Sequence, residues 1–208
     1  MMHIDNTVVS AKQLYQQSET LSIGGQKMRQ TGGNVSPMSN EGRNQYVVEH
    51  ITEAVLKLMQ EQNLNDISIS RICEEAGVGR ASFYRNFESK EAVISRYLKT
   101  LLDNWWIEAV QKPDFNLVEA VFSHYWEHRK LSIMLYRQGL AHLSLQSIRE
   151  ACGPKPEQPN MVAYTTAYFS YGLYGWIEEW FRRGMQETPK EMADLWEKAQ
   201  QETISKSM

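Results

Sequence analysis

Ser68-Ile-Ser-Arg-Ile-Cys-Glu-Glu-Ala-Gly-Val-Gly-Arg-Ala-Ser-Phe-Tyr-Arg-Asn-Phe-Glu-Ser-Lys90 is the stretch on which the fold turns, because it sets two short helices on either side of a glycine. Ile69, Ile72, Cys73 and Ala76 recur at helical spacing, and Ser68 stands where a side-chain oxygen can accept from the unpaired N–H groups of a first turn. Gly77 ends that helix. The chain needs a left-handed residue there, which glycine adopts without steric penalty, and Val78 follows to cap the apolar corner. A second helix is predicted from about Arg80 to Phe87. It turns Phe83 and Phe87 toward the first helix and distributes Arg80, Ala81, Ser82, Tyr84, Arg85 and Asn86 over the rest of its surface. In a DNA major groove Arg can pair with guanine and Asn with adenine, while small residues let the backbone come close. Residues 68–87 therefore read as a helix-turn-helix.

A glycine between two amphipathic helices also occurs in ordinary helical hairpins. The pattern Tyr84, Phe87, Ser89, Lys90 separates the two readings. With it, Gly77-Val-Gly-Arg-Ala-Ser-Phe-Tyr-Arg-Asn-Phe-Glu-Ser-Lys90-Glu91 resembles the segment that marks TetR-type (TetR/AcrR) bacterial transcriptional regulators, in which a recognition helix ending in Tyr-x-x-Phe runs into a Ser-Lys-Glu helix start. The similarity spans residues 43–98. It implies that Arg80, Ala81, Ser82, Arg85 and Asn86 face base edges, that Ser70 lies near bases or backbone, and that Tyr84 and Lys90 hold phosphates. Two residues depart from the pattern: Gly79 stands where Ser is usual, and Glu88 where Pro is common.

Composition is compatible with this reading. A chain of 208 residues with 42% hydrophobic content can hold a small DNA-binding module and a larger domain. Net charge is only −3, but DNA binding needs a local patch, and residues 77–87 carry Arg80 and Arg85 with no acid. Glu49, Glu53, Glu74, Glu75 and Glu91 leave the rest of the module non-basic, so modest non-specific affinity is expected. Cys73 and Cys152 have no metal or redox spacing and suit a reducing compartment. Without a long apolar run or an apolar leader, the expected location is the cytoplasm, with no membrane contact.

Along the chain, residues 1–40 are rich in Gln, Ser, Asn, Gly and Thr and read as a disordered tail. The module at 41–98 opens with a helix near Arg43–Gln62, whose stripe Val48, Ile51, Val55, Leu58, Met59 backs the helix-turn-helix; Arg43 and Tyr46 stand near its start. The helix from Ser89 meets no Gly or Pro until Pro113 and would run as one rigid rod into a second domain at 99–208. Further helices are expected near 117–128, 131–138, 141–152, 161–183 and 189–204. The expected fold is all-α, about nine helices, with a three-helix DNA-binding domain followed by a helical bundle.

All six Trp residues lie at or after Trp105. The 161–183 helix carries aromatics around nearly its whole circumference, so it must be covered on several faces. A twofold four-helix interface would do this, and resemblance to the family implies one, with Gly172, Gly175, Trp176, Trp180 and Leu195 as the interface residues. Trp105, Trp106, Phe122, Tyr125, Trp126, Tyr136 and Tyr168 are the expected lining of a pocket for a small apolar or aromatic effector, against the plainer alternative that they are core. His124 and His128 stand at i, i+4 beside Glu127, a spacing that can bind metal, but no His-Glu-x-x-His or Glu-x-x-His order is present. No metal, cofactor or catalytic site is expected. The function read from the sequence is a homodimeric repressor that grips a pseudo-palindromic operator in double-stranded DNA and releases it on binding an effector. Its rivals are a similar dimer governed by a protein partner, possibly an activator, and a helical-bundle metalloenzyme using His124, Glu127 and His128.

Overall fold

The computed structural model describes residues 40–205, so the expected tail lies almost wholly outside the described residues. Nine α-helices and one short 3-10 turn make up the described chain, and no strand occurs among them. They fall into two compact units, 40–98 and 99–205.

In the first unit, α1 (Asn40–Leu58) buries Ile51, Ala54, Val55 and Leu58. It begins three residues before the sequence pattern predicts, because Asn40 accepts a hydrogen bond from Arg43 Nη2 at 3.0 Å and steadies the first turn. It also stops earlier: Gln60 N and Glu61 N bond i−3 carbonyls, which tightens the last turn and closes the helix at Leu58. A 3-10 turn (Leu64–Asp66) follows. Helix α2 (Ile69–Ala76) is capped by Ser68, whose side chain accepts from Arg71 N. At its other end Gly77 has φ 64°. Gly77 N bonds Glu74 O and Val78 N bonds Cys73 O, the paired closure of a left-handed helix stop. Helix α3 (Arg80–Asn86) buries Phe83 completely, and Phe87 just beyond it is 4% exposed. Helices α1, α2 and α3 pack on one another around these residues.

Helix α4 (Lys90–Ala109) is unbroken, and Ser89 Oγ accepts from Ala92 N at its start. Its first half, with Val93, Ile94 and Leu98 buried, belongs to the first unit, and its second half to the other.

The second unit continues with α5 (Leu117–Glu127), α6 (Arg129–Arg137), α7 (Ala141–Cys152), α8 (Asn160–Arg182) and α9 (Pro189–Ser205). Asn116 caps α5 by accepting from Val118 N and Glu119 N. At the start of α9, Thr188 N donates to Glu191 Oε2 at 2.7 Å while Glu191 N donates back to Thr188 Oγ1 at 3.3 Å, with Pro189 in the first helical position. Helix α5 packs along α9, and α8 packs on α6 and α7. Trp180, Phe122, Leu173 and Ile177 are fully buried at the centre. No helix among the described residues is long and apolar enough to cross a membrane.

Candidate nucleic-acid interface

Helix α3 has two faces of opposite character. Phe83 anchors its back, edge-on to Tyr84 and 5.9 Å from Phe87 by ring centroids. Its front carries Arg80, Ala81, Tyr84 and Arg85, all exposed and spaced i, i+1, i+4, i+5 along one stripe. Ser82 and Asn86 sit half-buried on the flank, where Asn86 Nδ2 donates to Ser82 O at 2.9 Å. Ser70 is exposed in the first turn of α2. The geometry therefore brings four of the expected contact residues onto one solvent face and holds two beside it.

The two acids of α2 are paired. Glu75 lies 2.5 Å from Lys57 and 3.6 Å from Arg71, and Glu74 lies 3.6 Å from Arg71. The hydrogen bond and charge of Lys57 hold the Glu75 carboxyl below the usual range. Lys57 of α1 and Arg71 of α2 thus supply the cations for both acids of α2 and leave Arg80 and Arg85 outside these pairs. Behind them, burial pushes the Cys73 thiol up, which makes it a packing residue with little thiolate character.

Lys90 is placed differently from the expectation. Its ammonium donates to Leu64 O at 2.6 Å, Asn65 O at 3.1 Å and Ile67 O at 2.8 Å. In this structure these bonds occupy the ammonium's three N–H donors. Sequence pattern missed this because backbone acceptors carry no residue signature.

In the second unit, most of the expected pocket residues pack on Trp180, on Phe181 or on one another. Phe122 meets Trp180 edge-on at 5.3 Å, and Tyr125 and Tyr136 both meet Phe181, at 5.4 and 6.5 Å. Trp106 is buried. Trp105 and His124 lie 5.0 Å apart by ring centroids, and Trp105 lies 5.7 Å from Trp106. Tyr168 does not join them: it is 77% exposed on the outer face of α8, which the pattern of aromatics on every side could not distinguish from the inner one. Trp180 departs in the opposite sense. Expected at a subunit interface, it is 1% exposed within the core, because its ring is needed to fill the space between α5 and α8.

The outer face of α8 carries Met161, Tyr164, Tyr168 and Tyr171 exposed, with Gly172 and Gly175 on the same side. Trp176 is half-buried against Trp196, and Leu195 of α9 is exposed. A Cβ on Gly175 would meet nothing within 4 Å, so this face is open in the single chain.

His124 is buried and its Nδ1 has no hydrogen-bond partner. Burial, and secondarily the charge of His128, push its pKa down to about 4. Glu127 is exposed, and among the described residues no group of three or more His, Cys, Asp or Glu could hold a metal ion.

Two family models match, one within each unit: bacterial regulatory proteins of the tetR family over residues 51–97, and a transcriptional regulator C-terminal region over residues 138–201. A solved structure described as a TetR transcriptional regulator from Streptococcus agalactiae 2603V is 17% identical, covering 75% of this chain and 94% of that chain with a TM-score of 0.49. No curated protein matches. The first of these models spans the helices that build the α3 face, and with the second on the other unit it makes this chain a member of the TetR family, a DNA-binding transcriptional regulator.

Proposed function

We propose that the protein is a cytoplasmic homodimeric repressor that reads a pseudo-palindromic operator with α3 and is released when a small apolar or aromatic effector binds its second unit. The observation that carries this reading is the α3 stripe: two arginines, a small residue and a tyrosine exposed together on a helix anchored by Phe83. Arg80 and Arg85 would contact base edges in the major groove, Ala81 would allow close approach, and Tyr84 would reach a phosphate. Residues 41–98 would serve as the DNA-binding domain and 99–208 as the regulatory and dimerisation domain.

The open face of α8 supports the dimer. Exposed tyrosines and a methionine with glycines between them suit a close helix approach around a twofold axis. The effector reading is supported by His124, a buried imidazole with an unpartnered nitrogen beside Trp105 and Tyr125. A ligand with an apolar body and one hydrogen-bonding group would complement that surrounding. Release requires the effector to prefer the DNA-free conformation by the coupling free energy, typically about 1–3 kcal/mol.

In vitro selection from a random duplex library tests the reading. Selected sequences should contain an inverted repeat with half-sites about 34–36 Å apart or a multiple of that. Arg80→Ala and Arg85→Ala should each lose about 1–3 kcal/mol of discrimination at particular base pairs. Unchanged selectivity in both variants would remove α3 from the contact surface.

A further inference from the structure

His124 lies inside the second unit at 5% exposure, and its Nδ1 has no hydrogen-bond partner there. An unpaired buried polar atom is destabilising, and a leucine or phenylalanine at this position would carry no such penalty. The surroundings indicate what the imidazole can take up. Trp105 of α4 lies 5.0 Å away by ring centroids and Tyr125 lies 5.2 Å away, so the neighbouring surface is aromatic. His128, one turn further along α5, lies 5.2 Å away, and both it and Trp105 are half-buried. The buried ring thus has two neighbours that reach solvent. Among the described residues neither histidine has a carboxylate partner. Every aspartate, glutamate, lysine and arginine of α5, α6 and α9, and of α4 beyond Leu98, is exposed, Asp103, Glu108, Glu127, Arg129, Asp194 and Glu197 among them. Tyr125 turns its hydroxyl to Ser144 O, and the charge that acts on His124 is that of His128.

We propose that His124 and His128 are the acid-binding end of the effector site, and that the effector is an aromatic carboxylic acid whose carboxylate meets the two imidazoles while its ring lies against Trp105. The proposal rests on the reading of the second unit as the effector-binding domain and adds the chemistry of the effector. An aryl group suits the tilted rings, and a carboxylate supplies the acceptor that two adjacent imidazoles lack. Binding would also move a proton. At neutral pH the free acid is ionised, and His124 is uncharged because burial and His128 hold its pKa down at about 4. A carboxylate against the ring opposes both causes. One proton then comes from solvent and is held between imidazole nitrogen and carboxylate oxygen, with no other bond made or broken. The sign follows: affinity for the acid falls as pH rises, about tenfold per unit for one proton taken up. An uncharged amide of the same body brings no carboxylate and gains nothing from that proton.

Calorimetry on the full chain, in buffers of different ionisation heat, tests this with benzoate, phenylacetate and cinnamate beside benzamide, phenylacetamide and cinnamamide. At least one acid should bind with uptake of about one proton per subunit and about tenfold more weakly at pH 7 than at pH 6, while its amide shows neither effect. His124→Gln keeps a hydrogen-bonding side chain that takes no proton, and should abolish the uptake. His128→Gln should weaken the acid several-fold relative to its amide. No binding by any of the three acids, binding without proton uptake, or uptake that survives in His124→Gln would overturn the proposal. If His124→Gln fails to fold, the parent's proton uptake and His128→Gln decide it. Operator release is read separately. An amide that binds and releases DNA where its acid does not would refute the acid and leave effector control standing. An acid bound with proton uptake that leaves operator affinity unchanged would keep the two-histidine site and refute its role in release.

Discussion

Trp126 and Trp180 stack with ring centroids 5.9 Å apart and planes 13° from parallel, which fixes α5 against α8. Trp180 also meets the edge of Phe122, and its side chain is sealed from solvent. Truncating it leaves a cavity bounded by rings that cannot collapse. Trp180→Ala should therefore destabilise the second unit by about 3–5 kcal/mol in urea denaturation. A variant as stable as the parent would mean that the ring packs no core.

His124 makes stability depend on pH with a defined sign. Its pKa is pushed down to about 4 in the folded chain, from an ordinary 6.5. Between those values the unfolded chain takes a proton that the folded chain refuses, so stability falls as pH drops through this window. The expected loss is about 2 kcal/mol by pH 5 and roughly 3 kcal/mol at pH 4, where it levels off. Denaturation curves at pH 7 and pH 5 should show the difference, and His124→Phe should remove most of it.

Tyr168 offers a clean test of the subunit interface because it projects away from its own core. Tyr168→Glu should leave the helical signal nearly unaltered, yet convert a dimer to a monomer in sedimentation velocity. A folded dimer carrying that charge would exclude the outer face of α8 as the contact.

Gly77 and Gly79 stand two residues apart and should respond differently to substitution. Gly77 holds φ 64°, a region that a Cβ disfavours, whereas Gly79 has φ −78° and open space around it. Gly77→Ala should destabilise the first unit by about 1–2 kcal/mol. Gly79→Ser should stabilise it by a few tenths of a kcal/mol, since serine supplies the capping oxygen that glycine lacks. Equal effects at the two sites in chemical denaturation would contradict the backbone geometry.

The helix-turn-helix was legible because its determinants are local: a capping serine, a left-handed glycine and phenylalanines at helical spacing act within a few residues of one another. The α9 start was legible for the same reason, since Thr188 and Glu191 bond across a single turn. Long-range placement was not. A helix with aromatics at Tyr164, Tyr168, Trp176 and Trp180 announces that much of it is apolar, but only packing decides that Trp180 faces inward and Tyr168 outward. Lys90 was obscured by a different cause. Its partners are main-chain carbonyls more than twenty residues away, and their position depends on how α1 ends.

The confinement of tryptophan to the second unit has an optical consequence. Trp105, Trp106, Trp126, Trp176, Trp180 and Trp196 all belong to residues 99–205, while residues 40–98 contain tyrosine and phenylalanine but no tryptophan. Emission excited at the red edge of the absorption band is thus a dye attached by nature to one half of the molecule. Paired with the far-ultraviolet helical signal, which both halves contribute, it turns an ordinary melting experiment into a measurement of cooperativity: coincident curves mean that the halves unfold together, and a helical loss that precedes the loss of native emission means that the DNA-reading half lets go first.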